Sequence, residues 1–172
     1  MNDETETLYW MPLLKSGAGA DDAHKATCPF QEHRILRGLA SCEDRDLQRE
    51  VVVQKGIDLM PFLERGYINY DHKGSPIGRP LACGLVEAET HPVLSKGGHG
   101  VQGVALYAEC ELWPSHIDHR GANEAWALAQ AANATGRPFG YSIEGKAFQR
   151  DGDKITKSEL RHLALTHQPI QQ

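Results

Sequence analysis

Apolar positions along this chain recur mostly in steps of two. In the stretch 101–112, Val104, Leu106, Ala108, Cys110 and Leu112 alternate with Ala105, Tyr107, Glu109 and Glu111. That is the period of a strand with one polar face. Phe139, Tyr141, Ile143, Gly145 and Ala147 alternate in the same way. Shorter strands are predicted over 7–14, leading into a loop, over 34–41, and at Val51-Val52-Val53. The segment 67–72 reads as a strand that runs into a turn at Lys73-Gly74-Ser75-Pro76. The segment 77–89 reads as extended, interrupted by Gly78, Pro80 and Gly84. A last element over 160–166 reads as a strand, on which alternation puts His162 on one face with Leu160 and Ala164; Ser158 and Glu159 could instead open a helix.

Helical periodicity is clear only over 123–135. Asn123 is a candidate N-cap, the interior is alanine-rich, and Gly136 suits the residue after the end. A short helix is predicted over 59–65, capped by Asp58 and ended by Gly66. The small and polar stretch 16–22 reads as a flexible connection. Many strands with one long late helix predict an α+β fold: a mostly antiparallel β-sheet or small barrel with packed helices.

Length and composition narrow this picture. The 172 residues fit one domain, and 40% hydrophobic residues can build one core. Eighteen basic against 23 acidic residues leave a net charge of −5. No nucleic-acid partner is expected of such a chain, because that binding rests on neutralising phosphates. No membrane association is expected either, since no apolar run approaches the ~20 residues of a spanning helix. The acidic start, with Asp3 and Glu4, is unlike the basic start of a signal peptide. Cys28, Cys42, Cys83 and Cys110 lie far apart without a Cys-x-x-Cys pair, which argues for reduced thiols and against a zinc ribbon. Cys83 and Cys110 are expected to be buried strand residues, and Trp113 and Trp126 to be core.

The nine histidines are the compositional feature that asks for an explanation. His116-Ile117-Asp118-His119, with His91 and His99, offers ligands that could hold a divalent metal; loop residues between the best strand and the best helix are the plainer reading. Lys96-Gly97-Gly98-His99-Gly100 is glycine-rich but lacks the Lys-Ser/Thr ending of a phosphate loop, and reads as a flexible hairpin. His24, His33 and His167 carry no signal. More informative are Asn69-Tyr70-Asp71-His72, a histidine closing a strand before a turn, and Phe139-Gly140-Tyr141-Ser142-Ile143-Glu144-Gly145, a serine between glycines on a strand. The third such stretch is Glu159-Leu160-Arg161-His162-Leu163-Ala164-Leu165-Thr166.

In order and spacing, these three blocks resemble the prohead (capsid maturation) proteases of tailed bacteriophages, distant relatives of the herpesvirus capsid assembly proteases. His72 and Ser142 are 70 residues apart, and Ser142 and His162 are 20 apart. The resemblance also takes in Leu36-Arg37-Gly38-Leu39-Ala40-Ser41, Gly56-Ile57-Asp58 and Pro76-Ile77-Gly78, and covers roughly 34–170. It implies a herpesvirus-protease-like fold, with residues 34–172 as the protease core and 1–33 as an N-terminal strand and flexible extension.

The resemblance also implies a serine endopeptidase. Ser142 would be the nucleophile, His72 the general base, and His162 the group that orients His72. A histidine in the third position matches the herpesvirus enzymes, whereas many phage relatives carry an acidic residue there; a slow protease is expected. Glu144 stands where relatives often have glycine, and is expected to be exposed and to point away. Pro169-Ile170-Gln171 replaces the family's Pro-Ala-Asn. No metal or organic cofactor is implied. The implied partners are the scaffolding protein and the major capsid protein as substrates, the protease itself, and possibly a second copy in a homo-oligomer. The implied location is the host cytoplasm, inside the assembling prohead. Two alternatives belong to other classes: an inactive structural or scaffold-associated head protein of the same fold, and a metal-dependent hydrolase built on His116 and His119.

Overall fold

A computed structural model describes residues 6–12, 33–45, 49–91, 101, 103–117, 119–136 and 139–166. The predicted connection at 16–22, the glycine-rich stretch 96–100, Cys28 and Pro169 lie outside the described residues. In chain order the strands are β1 (Glu6–Pro12), β2 (Arg34–Cys42), β3 (Val51–Val52), β4 (Ile57–Asp58), β5 (Ile68–Tyr70), β6 (Lys73–Glu87), β7 (Val104–Leu112), β8 (Gly140–Asp151) and β9 (Lys154–Thr166). Two α-helices join them, α1 (Met60–Arg65) and α2 (Arg120–Thr135). The predicted mixed α+β class, mostly strands with few helices, is what the structure has.

All nine strands belong to one sheet. Its order is β1-β8-β9-β5-β6-β7-β2, and β3 and β4 also pair with β9. Most pairings are antiparallel, as predicted. The exception is one edge of β9, which β3, β4 and β5 line in succession, each parallel to it. The sheet curls into a half-barrel, so that β2 approaches β1 and β8 from the far end. The Tyr141 hydroxyl crosses the interior to donate to the Leu36 carbonyl at 2.9 Å. Around it pack Ile68, Ile77, Leu106, Ile143, Leu163 and Leu165, all buried.

Helix α2 lays Ala122, Ala125 and Ala129 on this core, where small side chains allow close approach. It starts three residues before the predicted Asn123 cap. His119 is the N-cap, and its Nδ1 accepts from the Ala122 N–H at 3.3 Å. Asn123 instead accepts from the buried Arg34 guanidinium at 2.7 Å, which ties the helix to β2. At the other end, Gly136 takes the left-handed conformation, φ 69°, as predicted. Helix α1 begins at Met60, one residue later than predicted, and its N-cap position is Leu59, which makes no side-chain cap bond; Asp58, the predicted cap, lies one residue further out and accepts from the Met60 N–H at 3.0 Å. Trp113 and Trp126 are partly buried against the core, and Cys110 is fully buried within it.

Two local features depart from the sequence pattern, and both shape the site. The turn after β5 falls at Asp71-His72, before the Gly/Pro cluster, and β6 begins at Lys73. Tyr70 pairs with Lys73, so Asp71 and His72 form a two-residue hairpin loop. Both have positive φ, 54° and 57°, as the tight hairpin turns of right-twisted strands require. The second departure lies on β9, which is a strand throughout and begins earlier than 160. Glu144 pairs with His162, but Gly145 pairs with Leu160, so Arg161 is an extra residue in a bulge. The bulge turns Leu160 into the core with Leu163 and Leu165. His162 therefore keeps Ala164 as a face partner but not Leu160.

Candidate active site

Strands β8 and β9 carry two different faces. Tyr141, Ile143, Leu163 and Leu165 face the core. Ser142 and Glu144 alternate with them on β8 and so share the opposite face. Across the ladder, Ala164 stands opposite Ser142 and His162 opposite Glu144. Asn69 of β5 is the neighbour of Ala164 on the other side. Ser142, Glu144, His162 and Asn69 are thus brought to one face by register alone.

His72 reaches this face from the hairpin tip. Its Nδ1 lies 2.5 Å from Glu144 Oε1, and the Asn69 side-chain amide donates to Glu144 Oε2 at 2.9 Å. An ionised carboxylate only accepts, so His72 Nδ1 carries the hydrogen in this pair. In the neutral ring that leaves the lone pair on Nε2. Two consecutive non-glycine residues at positive φ cost energy and persist only where surrounding contacts hold them. Here Asp71 supplies the contacts: its N–H donates to the Leu165 carbonyl at 2.8 Å, and its carboxylate accepts from Thr166 and Lys73.

Glu144 is 8% exposed, which corrects the expectation of an exposed side chain pointing away. Burial pushes its carboxyl up, but the hydrogen bond and charge of His72, the Asn69 amide and the nearby His162 outweigh that and hold it below the ordinary value. Two buried atoms beside it have no hydrogen-bond partner among the described residues, Asn69 Oδ1 and His162 Nδ1. His162 stacks on Tyr67, with ring centroids 3.8 Å apart and planes 24° from parallel. Burial lowers its pKa, more than the attraction of Glu144 raises it, and Arg161 adds to the lowering.

The three residues singled out by sequence therefore sit differently. Ser142 and His162 lie on the same face of adjacent strands, and His72 projects to that face from the turn. No hydrogen bond joins His72 to Ser142 or to His162 among the described residues; the partner of His72 is Glu144. Glu144 was visible in sequence as the next residue on the serine's face, but its contact with His72 spans 72 positions. Gly145 has a local reason to be glycine: a Cβ there would lie 2.0 Å from the Glu159 carbonyl oxygen, where the bulge brings the strands together.

Elsewhere the histidines have structural partners. His119 caps α2, His33 lies 2.9 Å from Glu111, and the His91 ring tilts against Tyr107. Among the described residues no group of three or more His, Cys, Asp or Glu side chains is arranged to hold a metal ion; Asp118 and His99 lie outside them. The thiols of Cys42 and Cys83 are pushed up to about 12 by burial, which leaves them protonated and poorly nucleophilic near neutrality. No described helix is long and apolar enough to cross a membrane.

No protein-family model, curated protein or solved structure matches this chain.

Proposed function

We propose that this protein is a serine endopeptidase of the prohead-protease type, with Ser142 as nucleophile and His72 as general base. The reading rests on one observation. His72 is fixed at a strained hairpin tip and held by hydrogen bond to Glu144, the side chain next to Ser142 on the same strand face. Residues i and i+2 of a strand lie roughly 7 Å apart. An imidazole with a hydrogen bond of ~2.8 Å at each nitrogen spans a similar distance. A ring anchored on Glu144 is therefore the right length to serve Ser142, and contacts of this kind are commonly long in an unliganded enzyme.

The chemistry follows from the tautomer. The Ser142 hydroxyl attacks the scissile carbonyl carbon while its proton passes to the lone pair on His72 Nε2. The tetrahedral adduct collapses, the C–N bond breaks, and the leaving amine takes that proton. Water then attacks the acyl ester, giving a proton to His72; the bond from the acyl carbon to the Ser142 oxygen breaks, His72 returns the proton to that oxygen, and the acid product leaves. Ser142 is only 3% exposed, so reaching it requires local opening, in keeping with a slow enzyme. The scaffold and capsid proteins of an assembling phage head, and the protease itself, are the proposed substrates.

The test is covalent labelling by a fluorophosphonate, followed by mapping of the modified residue. Labelling at Ser142, abolished by Ser142→Ala and by His72→Ala, is the expected result. A folded wild-type protein that takes up no label would overturn the reading in favour of an inactive head protein.

A further inference from the structure

We infer that Glu144, and not His162, is the positioning residue for His72, so that nucleophile and acidic partner sit two residues apart on one strand. This rests on the serine-hydrolase reading above. The third member of such a site must accept a hydrogen bond from Nδ1, fix the tautomer with the lone pair on Nε2, and stabilise the imidazolium that forms. Glu144 meets each requirement: its Oε1 is 2.5 Å from Nδ1, and its side chain is buried. Asn69 holds the other oxygen at 2.9 Å, which fixes the carboxylate plane without neutralising it, because an amide is uncharged.

His162 meets none of them. It makes no hydrogen bond to His72, its Nδ1 is buried without a partner among the described residues, and its ring is committed to Tyr67. Its place opposite Glu144 in the ladder gives it another role, as a neutral wall that keeps water from the carboxylate. A dry carboxylate exerts a stronger field on the imidazolium than a solvated one. Asn69 Oδ1 and His162 Nδ1, both buried and without a hydrogen-bond partner among the described residues, flank that carboxylate.

The experiment reads the tautomer directly, by nitrogen-15 spectra of labelled histidines near neutral pH, alongside the fluorophosphonate labelling rate. In wild type, His72 shows the Nδ1–H form; Glu144→Ala converts it to the mixture of a free imidazole, while His162→Ala leaves it unchanged. Glu144→Gln keeps the shape of the side chain and serves as the well-folded variant. Its single oxygen stays with the Asn69 amide and its NH2 faces Nδ1, so the Nδ1–H form is lost and the labelling rate falls on the order of 10²-fold or more, with the backbone geometry intact. His162→Ala lowers that rate by less than about 10-fold, because only solvent exclusion is lost. A tautomer that changes in His162→Ala and not in Glu144→Ala overturns the inference, as does an unchanged rate in Glu144→Gln. A wild type that takes no label overturns the protease reading instead, while the tautomer result still decides which residue holds His72.

Discussion

Two of the described histidines lean on a glutamate, and they lean in different company. His33 lies 2.9 Å from Glu111 on β7, and His72 lies 2.5 Å from Glu144 on β8. The side chains of both glutamates are largely buried, at 13% and 11% exposure. The difference is at the second oxygen. On Glu111 it binds the Arg79 guanidinium at 2.8 and 3.1 Å; on Glu144 it binds the Asn69 amide. Arginine keeps its proton and cancels the charge of Glu111, whereas an amide leaves the charge of Glu144 to the imidazole. The strand faces differ as well. The neighbour of Glu111 on its own face is Glu109, which pairs with Arg37, while that of Glu144 is Ser142. One pair is a charge-compensated brace; the other, on the proposed reading, is the apparatus of a proton transfer.

The largest effect that can break this contrast comes from the histidines themselves. His72→Ala is expected to lower the rate of serine labelling on the order of 10⁴-fold or more, as loss of a general base does. His33→Ala is expected to leave the rate within about 2-fold, with only a modest loss of stability, because Glu111 keeps its Arg79 partner. Equal effects, measured on the same labelled preparation, would mean that the two pairs are equivalent and that the choice of β8 as the active strand is wrong.

Gly145→Ala is the next largest, and it acts on the platform and not on the proton. The new Cβ would lie 2.0 Å from a backbone oxygen, which no side-chain rotation relieves. Forcing β8 and β9 apart is expected to cost about 3 kcal/mol, read as a lowered urea midpoint. It should also slow labelling, because Glu144 and His162 are the pair adjacent to the bulge. The comparison site on β7 has a glycine of the same kind in the neighbouring strand. Gly78 would place a Cβ 2.4 Å from the Glu111 carbonyl oxygen. Gly78→Ala should therefore destabilise comparably while altering labelling only through stability.

These positions also mark how far the sequence could be read. The β7 strand was legible because one face is apolar throughout and the other carries Tyr107, Glu109 and Glu111, so the alternation survives unbroken. The polar face of β8 looks alike in sequence, yet Glu144 is buried there by contacts to residues 72 and 75 positions away, which no local pattern encodes. On β9 the alternation held until Arg161, where a bulge changed the face of everything before it; strict period-two counting put Leu160 beside His162. The hairpin tip was misplaced for a chemical reason. Glycine and proline at 74 and 76 are the usual turn residues, but the pairing of Tyr70 with Lys73 forces the turn onto Asp71 and His72. What stayed hidden was therefore register and long-range pairing, and both decide which residue His72 touches.

A smaller effect follows from acid. The Glu144 carboxyl is held below its ordinary 4.5, so its contribution to stability is present above that pH and is lost as pH falls through the native value. His162 is held below its ordinary 6.5: as pH falls past 6.5 the unfolded chain takes up a proton that the native chain resists. Both act in the same direction, so stability is expected to decline in two stages, first below about pH 6.5 and then below about pH 4.5. Chemical denaturation across that range should show His162→Ala flattening the upper stage and Glu144→Gln the lower. A stability that rises on acidification through either window would contradict the signs derived for these groups.

The smallest effect is the most discriminating for the comparison itself. Arg79 is exposed and its bond to Glu111 lies at the surface, so Arg79→Ala should cost less than about 1 kcal/mol, and less still at high salt. Chemically, however, it converts the β7 pair toward the β8 pair, because Glu111 loses its guanidinium and leaves its charge to His33. If a histidine on an uncompensated glutamate were sufficient to activate a neighbouring group, some new labelling would follow. None is expected: the neighbour of Glu111 on its own strand face is Glu109, which offers no hydroxyl to label. Label confined to Ser142 in Arg79→Ala would place the distinction in Ser142 itself. On the proposed reading, the histidine–glutamate pair then supplies the base, and the serine two residues along the strand supplies the reacting group that the β7 pair lacks.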